Sequence, residues 1–160
     1  MATAAEKAIE ILQGQVGTPD GASDWLEVDQ DRINLFADAT LDHQFIHIDP
    51  EKSAQLSPYK VTIAHGFLTL SLLPHLTSSI PPQNASVYEG MVMGVNYGLD
   101  KVRFPNPVKV NSKVRAHREL VEATLVNPNT IQVKNKITIE IDGEEKPGCV
   151  AEFLTRMIYG

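Results

Sequence analysis

The sequence is poor in cysteine: Cys149 stands alone among 160 residues, so no intrachain disulfide and no paired-cysteine metal site can form. That fits a reducing cytoplasm, and Cys149 itself reads as a small apolar residue in a strand. Clustered positive charge is lacking too. Fourteen Lys and Arg stand against 20 Asp and Glu, for a net charge of −6, and no basic run points to a nucleic-acid partner. No apolar run is long enough to cross a bilayer. The most apolar stretch, IAHGFLTLSLLPHL at 63–76, is interrupted by two histidines and a proline and reads as a buried helix. The opening MATAAEKAIEILQGQVG carries Glu6 and Lys7 early and does not read as a signal peptide. Internal repeats and low-complexity tracts are absent. What is left, 42 % apolar and 21 % charged residues, is the composition of a soluble domain, and the length suits a single one spanning 1–160.

The first half reads as helical. A short helix is predicted over about 4–12, with Ala8, Ile9 and Leu12 on one face. GQVGTPDGASD is expected to be loop, and Trp25–Val28 a strand. Asp29 or Gln30 then opens a helix to about Ala39, with Ile33, Phe36 and Ala37 toward a core. Asp49-Pro50-Glu51 is a helix start, Asp as N-cap and Pro in the first turn. An apolar helix follows from about His65 to Thr77. The second half changes period. Residues 87–104, VNSKVRAHRELVEATLV, TIQVKNKITIEI and CVAEFLTRMIY read as strands, with NPN and DGEE as turns between the last three. Ile131, Val133, Ile137, Ile139 and Ile141 alternate with polar residues, so one sheet face is buried. The fold class is α+β, an antiparallel sheet wrapped around one apolar helix. Its open edges predict pairing into a homodimer or larger assembly.

Chemistry concentrates in FADATLDHQFIHIDP, 36–50, where two aspartates and two histidines are woven through an apolar run. Asp42 and His47 fall on different faces of either a helix or a strand, and converge only if the chain turns between them. A carboxylate beside an imidazole can hold one water and move its protons. The same residues admit plainer readings: loop groups facing water, or a metal set of His43, His47 and an aspartate. Asp49 is assigned as a cap. Downstream, His65-Gly66 opens the apolar helix. A glycine there either bares N–H groups to a ligand or lets the helix pack closely.

The pattern F-A-x-x-x-x-D-x-x-x-I-H-x-D-P, followed by I-A-H-G-F-L-T, resembles the MaoC-like dehydratases, the (R)-specific enoyl-CoA hydratases of the hot-dog fold. NYGLDKVRFPNPVKVNSKVRA resembles the nodulation protein N branch. The likeness spans about 25–155, leaving the N-terminal helix outside. It implies a curved antiparallel sheet around a long central helix, and reversible hydration of a trans-2-enoyl thioester to the (R)-3-hydroxyacyl thioester. The carrier is coenzyme A or an acyl carrier protein. Coenzyme A is part of the substrate, and no further cofactor or metal is implied. The family's dyad falls on Asp42 and His47, and its oxyanion donor on the Gly66 N–H. The family motif is Gly-Asp-x-Asn-Pro-Leu/Ile-His, so Leu41, Gln44 and Phe45 depart from it. Gln44 keeps an amide that can orient substrate, and Phe45 is expected to shape the acyl pocket. His65, Asn96 and Tyr97 are expected near the substrate, and Lys101 and Arg103 near the phosphates of coenzyme A. Two competing readings are a hot-dog thioesterase and an acyl-binding subunit of a heteromeric dehydratase. The first needs a carboxylate on the central helix, which 65–77 lacks; the second is expected to have lost the dyad.

Overall fold

Three long alternating runs build the frame. In the computed structural model, which describes Met1–Gly160, they are β4 (Ser112–Asn127), β5 (Thr130–Ile141) and β6 (Cys149–Tyr159). Their buried faces align across the sheet: Ala116 pairs with Ile139, and Ile139 with Cys149. All three side chains are fully buried. Ahead of them in sequence come α1 (Ala4–Gln15), β1 (Pro19–Ala22), β2 (Leu26–Val28), α2 (Gln30–Thr40), α3 (Phe45–Ile48) and α4 (Pro50–Leu56). Then follow α5 (Gly66–Ser71), α6 (Leu73–Ser78), a 3₁₀ turn at Ala85–Tyr88, and β3 (Met91–Arg103). The strands form one sheet in the order β1-β4-β5-β6-β3, with β2 also on β4, and every pairing is antiparallel.

The interior has two compartments. The larger packs Leu68, Leu72, Leu73 and Leu76 of the central helix against Ile137, Ile139 and Ile141 of β5. The smaller packs Ala5, Ala8, Ile9 and Leu12 of α1 against Leu120, Ile131, Val133 and Tyr159. Thr3 and Glu6 start α1 with a reciprocal capping box. The side-chain period explains where the compartments part. Residues 131, 133, 137, 139 and 141 of β5 point inward, but the inward position between them is Asn135. It shares a cavity wall there with Arg118 of β4, whose Nε donates to Asp20.

Four details differ from the sequence expectation. The apolar helix is broken at Leu72 into α5 and α6. Pro74 sits in the first turn of α6, where its missing N–H and its ring interrupt the helical ladder. Nor is that helix buried all round: Phe67 is 68 % exposed. The Gly- and Pro-rich segment contains a strand, β1, because β4 is long enough to pair it at Pro19, Gly21 and Ala22. Finally, residues 85–88 form a 3₁₀ turn, and β3 starts only at Met91.

β3 ends the sheet, and Val92, Met93, Val95, Tyr97 and Leu99 along it are exposed. No helix is long and apolar enough to cross a membrane. Cys149 is fully enclosed, and burial pushes its thiol up to about 11. A thiol-specific reagent should therefore leave the native protein unmodified at neutral pH and react at Cys149 once the chain is unfolded. Rapid labelling of the native protein would contradict the packing of β5 on β6.

Candidate active site

The site begins where α2 stops. Leu41, at its C-cap, takes the left-handed conformation with φ 64° and is 80 % exposed. A non-glycine residue there costs about 1–2 kcal/mol, which accounts for glycine at this place in the family motif. The reversal sends Asp42 back toward the protein. Asp42 Oδ1 accepts a long bond, 3.4 Å, from the Gln44 N–H. His43 turns outward instead and pairs with Asp38 at 2.9 Å. The single turn α3 then carries His47 inward, to 7 % exposure. Asp49 caps α4 by accepting from the Lys52 N–H at 2.9 Å.

His47 is held on two sides. Its Nδ1 lies 2.7 Å from the Ile63 carbonyl oxygen. A carbonyl can only accept, so Nδ1 carries the proton and Nε2 keeps a bare lone pair. Its own carbonyl accepts from Gln30 Nε2 at 2.7 Å, and Gln30 in turn accepts from the Thr62 hydroxyl. The segment supplying Ile63 is itself tied down. Ile63 N–H donates to Ile46, Ala64 N–H to Val108, and Val110 N–H to Thr62. This strap leads straight into α5, so the tautomer of His47 and the position of Gly66 are set by one stretch of chain.

His65 completes the cluster. Its Nε2 lies 2.9 Å from the Asp42 carbonyl oxygen, and its ring stacks on His47 with centroids 3.8 Å apart and planes at 23°. Donor atoms of Asp42, His47 and His65 all lie within 4.8 Å of one another. That closeness alone could suit an ion. The stacking does not: near-parallel rings cannot aim both lone pairs at one ion with bonds of about 2.0–2.1 Å. What the arrangement can do is hold and move protons. Burial lowers the pKa of His47 below 6.5, the Ile63 bond opposes this, His65 adds to it, and Asp42 opposes it.

A cavity of about 300 Å³ opens beside this group, with His47, Tyr59, Gly66, Thr69 and Phe104 among its walls. The Gly66 N–H, at the first position of α5, has no place in the helical ladder. Gly66 itself is under the Phe104 ring: a Cβ there would lie 2.9 Å from Phe104 Cδ2. Gly66 thus combines an N–H outside the helical ladder with close packing against Phe104. Ile63, Thr69 and Phe104 fall inside the resembled segments but are given no role there, and Gln30 reads only as a helix start, since each matters through a contact with a distant segment.

Of the remaining expected residues, Gln44 and Phe45 stay in the segment between Asp42 and His47, and the others lie away from it. Gln44 is the exposed N-cap of α3, and Phe45 lies under the Lys52 ammonium at 5.0 Å. Asn96 faces a separate cavity of about 590 Å³ with Arg118, Asn135 and Thr155. The exposed Tyr97 ring packs under the Arg156 guanidinium at 3.7 Å. Neither lines the His47 cavity, which takes part of its wall from Phe104 to Val108, just past the end of β3. Lys101 pairs with Glu152 at 3.7 Å, and Arg103 donates to the Val102 carbonyl.

An antiparallel sheet curled around one helix defines a hot-dog domain. The chain belongs to the MaoC-like domain family, whose model matches residues 12–141. It is 44 % identical over 152 residues to the 3-hydroxyacyl-thioester dehydratase Z of Mycobacterium tuberculosis, covering 95 % of this chain and 97 % of that one. It is 43 % identical over 150 residues to nodulation protein N of Rhizobium leguminosarum bv. viciae, covering 94 % and 91 %. Among solved structures, the (R)-hydratase from A. caviae involved in PHA biosynthesis superposes with a TM-score of 0.67 at 20 % identity, covering 88 % of this chain and 94 % of that one.

The depressed pKa of His47 has a consequence for stability. A histidine that resists protonation when folded contributes stability above its unfolded value, and that contribution is lost as pH falls through the folded value. Urea unfolding should therefore show stability declining as pH drops below 6.5, and His47→Gln should flatten that part of the profile. An unchanged slope in the variant would contradict a buried, neutral His47.

Proposed function

We propose that this protein hydrates trans-2-enoyl-CoA reversibly to (R)-3-hydroxyacyl-CoA. The observation that carries this reading is the bare Nε2 of a buried His47, close to the Asp42 carboxylate and beside the free N–H of Gly66. The 3-hydroxyacyl-thioester named in its mycobacterial relative supports a thioester substrate, and the motif resemblance supports the (R) product.

Water between Asp42 and His47 gives one proton to His47 Nε2 as its oxygen bonds to C3 of the enoyl thioester. The electron pair of the double bond moves toward the thioester carbonyl, whose oxygen becomes enolate-like. The Gly66 N–H, a fixed dipole in a restricted cavity, stabilises that oxygen where charge develops. The proton held on His47 passes by way of the Asp42 carboxylate to C2, so one water supplies both the hydroxyl at C3 and the hydrogen at C2, and both side chains end as they began. Dehydration runs the same steps backward. The uncovered, 13-residue β3 with its row of apolar side chains supports completion of the sheet by a second copy. Lys101 and Arg103 remain candidates for the phosphates of coenzyme A, with Lys101 having to leave Glu152 to serve.

The test is hydration of a chain-length series of enoyl-CoA substrates with chiral analysis of the product. Asp42→Asn and His47→Gln should each lower kcat by about 10²–10⁴-fold, the usual worth of a positioned acid or base. Near wild-type rates in both would sink the dyad, and an (S) product would overturn the stereochemical reading. Gly66→Ala keeps the N–H but must displace Phe104; a loss of about tenfold or more in kcat is expected from misplacing the donor. A wild-type rate in that variant would remove Gly66 from the site.

A further inference from the structure

His65 touches both members of the dyad at once. It is 2 % exposed, and no side-chain bond caps α5 from it, so its imidazole is not there to start the helix. The Asp42 carbonyl can only accept, which puts the His65 proton on Nε2 and leaves Nδ1 bare. That Nδ1 is buried and has no hydrogen-bond partner. Phe36 backs the ring at 5.0 Å, while His47 covers it at 3.8 Å. Leaving a buried acceptor unpaired is destabilising. A ring retained only to fill this space would be better made of carbon, so packing accounts for the shape of His65 but not for its nitrogens.

Chain geometry supplies the account. Asp42 stands on an exposed reversal after a strained Leu41 and accepts only one long side-chain bond, from Gln44. The bond from His65 is what ties this reversal to the start of α5, 23 residues on. The same ring forms a face against which the His47 imidazole lies flat. One side chain, borne by the residue before Gly66, thus joins the carboxylate loop and the imidazole.

We infer that His65 is a positioning residue: its Nε2–H fixes the Asp42 loop and its ring fixes the plane of His47, setting the spacing of the pair without touching the acyl thioester. This rests on the dyad reading given above. The titratable groups that act on His47 are Asp42 and His65 themselves.

Two variants separate the two tasks. His65→Phe keeps the ring and loses the N–H; His65→Gln keeps a donor of similar reach and loses the ring. Steady-state hydration kinetics against pH should show kcat of His65→Phe reduced on the order of 10²-fold with KM little changed. The acid limb of its kcat/KM profile should move to higher pH, because His65 helps to lower the pKa of His47. His65→Gln should recover part of kcat by restoring the tether. Wild-type kcat and an unmoved acid limb in both variants would overturn the inference. So would a loss confined to KM, or one that tracks the unfolded fraction by circular dichroism while each folded molecule turns over normally. Asp42→Asn and His47→Gln belong in the same assay. Activity in those two defeats the dyad itself, whereas their inactivity beside fully active His65 variants defeats only the positioning role.

Discussion

The hydrogen bond from His47 Nδ1 to the Ile63 carbonyl is the contact on which the site depends. It decides which ring nitrogen is free, and so whether the imidazole can take a proton from water at all. Its acceptor belongs to an irregular segment whose backbone groups are otherwise matched to Ile46, Val108 and Val110. Buried backbone groups must be paired, and here the pairing serves a second end. The strap that satisfies them holds the imidazole of α3 and the N–H of Gly66 in one frame. The imidazole is therefore held against a strap of paired main-chain groups.

The rest of the fold supplies the room. The antiparallel sheet takes the central helix on its buried face, and Pro74 breaks that helix past the site, so α5 presents its first turn to the cavity while α6 continues into the core. Asn135 and the Arg118–Asp20 pair then interrupt the apolar interior and set the α1 compartment apart. An ion pair of this kind is weak support for stability; the two leucine- and isoleucine-rich compartments hold the fold.

How much of this the sequence revealed follows from how local each cause is. The period-two alternation of 131–141 and the Asp49-Pro50 start could be read directly, because both rest on neighbours within a few residues. The break at Leu72 was harder: proline is tolerated in a first helical turn, so Pro74 could equally have opened a new helix or kinked an old one. β1 was hidden because Gly and Pro signal a loop, and only the length of β4 makes those residues a strand. Within FADATLDHQFIHIDP, spacing allowed Asp42 and His47 to meet but could not choose the tautomer, which is set by Ile63 sixteen residues away. His65 looked like a substrate contact from its place before Gly66. Its bond to Asp42 and its stack on His47 are tertiary facts with no local signature.

The most direct test of this arrangement is the ¹⁵N resonance pattern of the His47 ring in histidine-labelled protein near about pH 7, where an unperturbed imidazole is mostly neutral. The expected spectrum has a protonated Nδ1 and an unprotonated Nε2 on His47. A protonated Nε2 with a bare Nδ1, or an imidazolium at that pH, would contradict a base held ready by the Ile63 carbonyl.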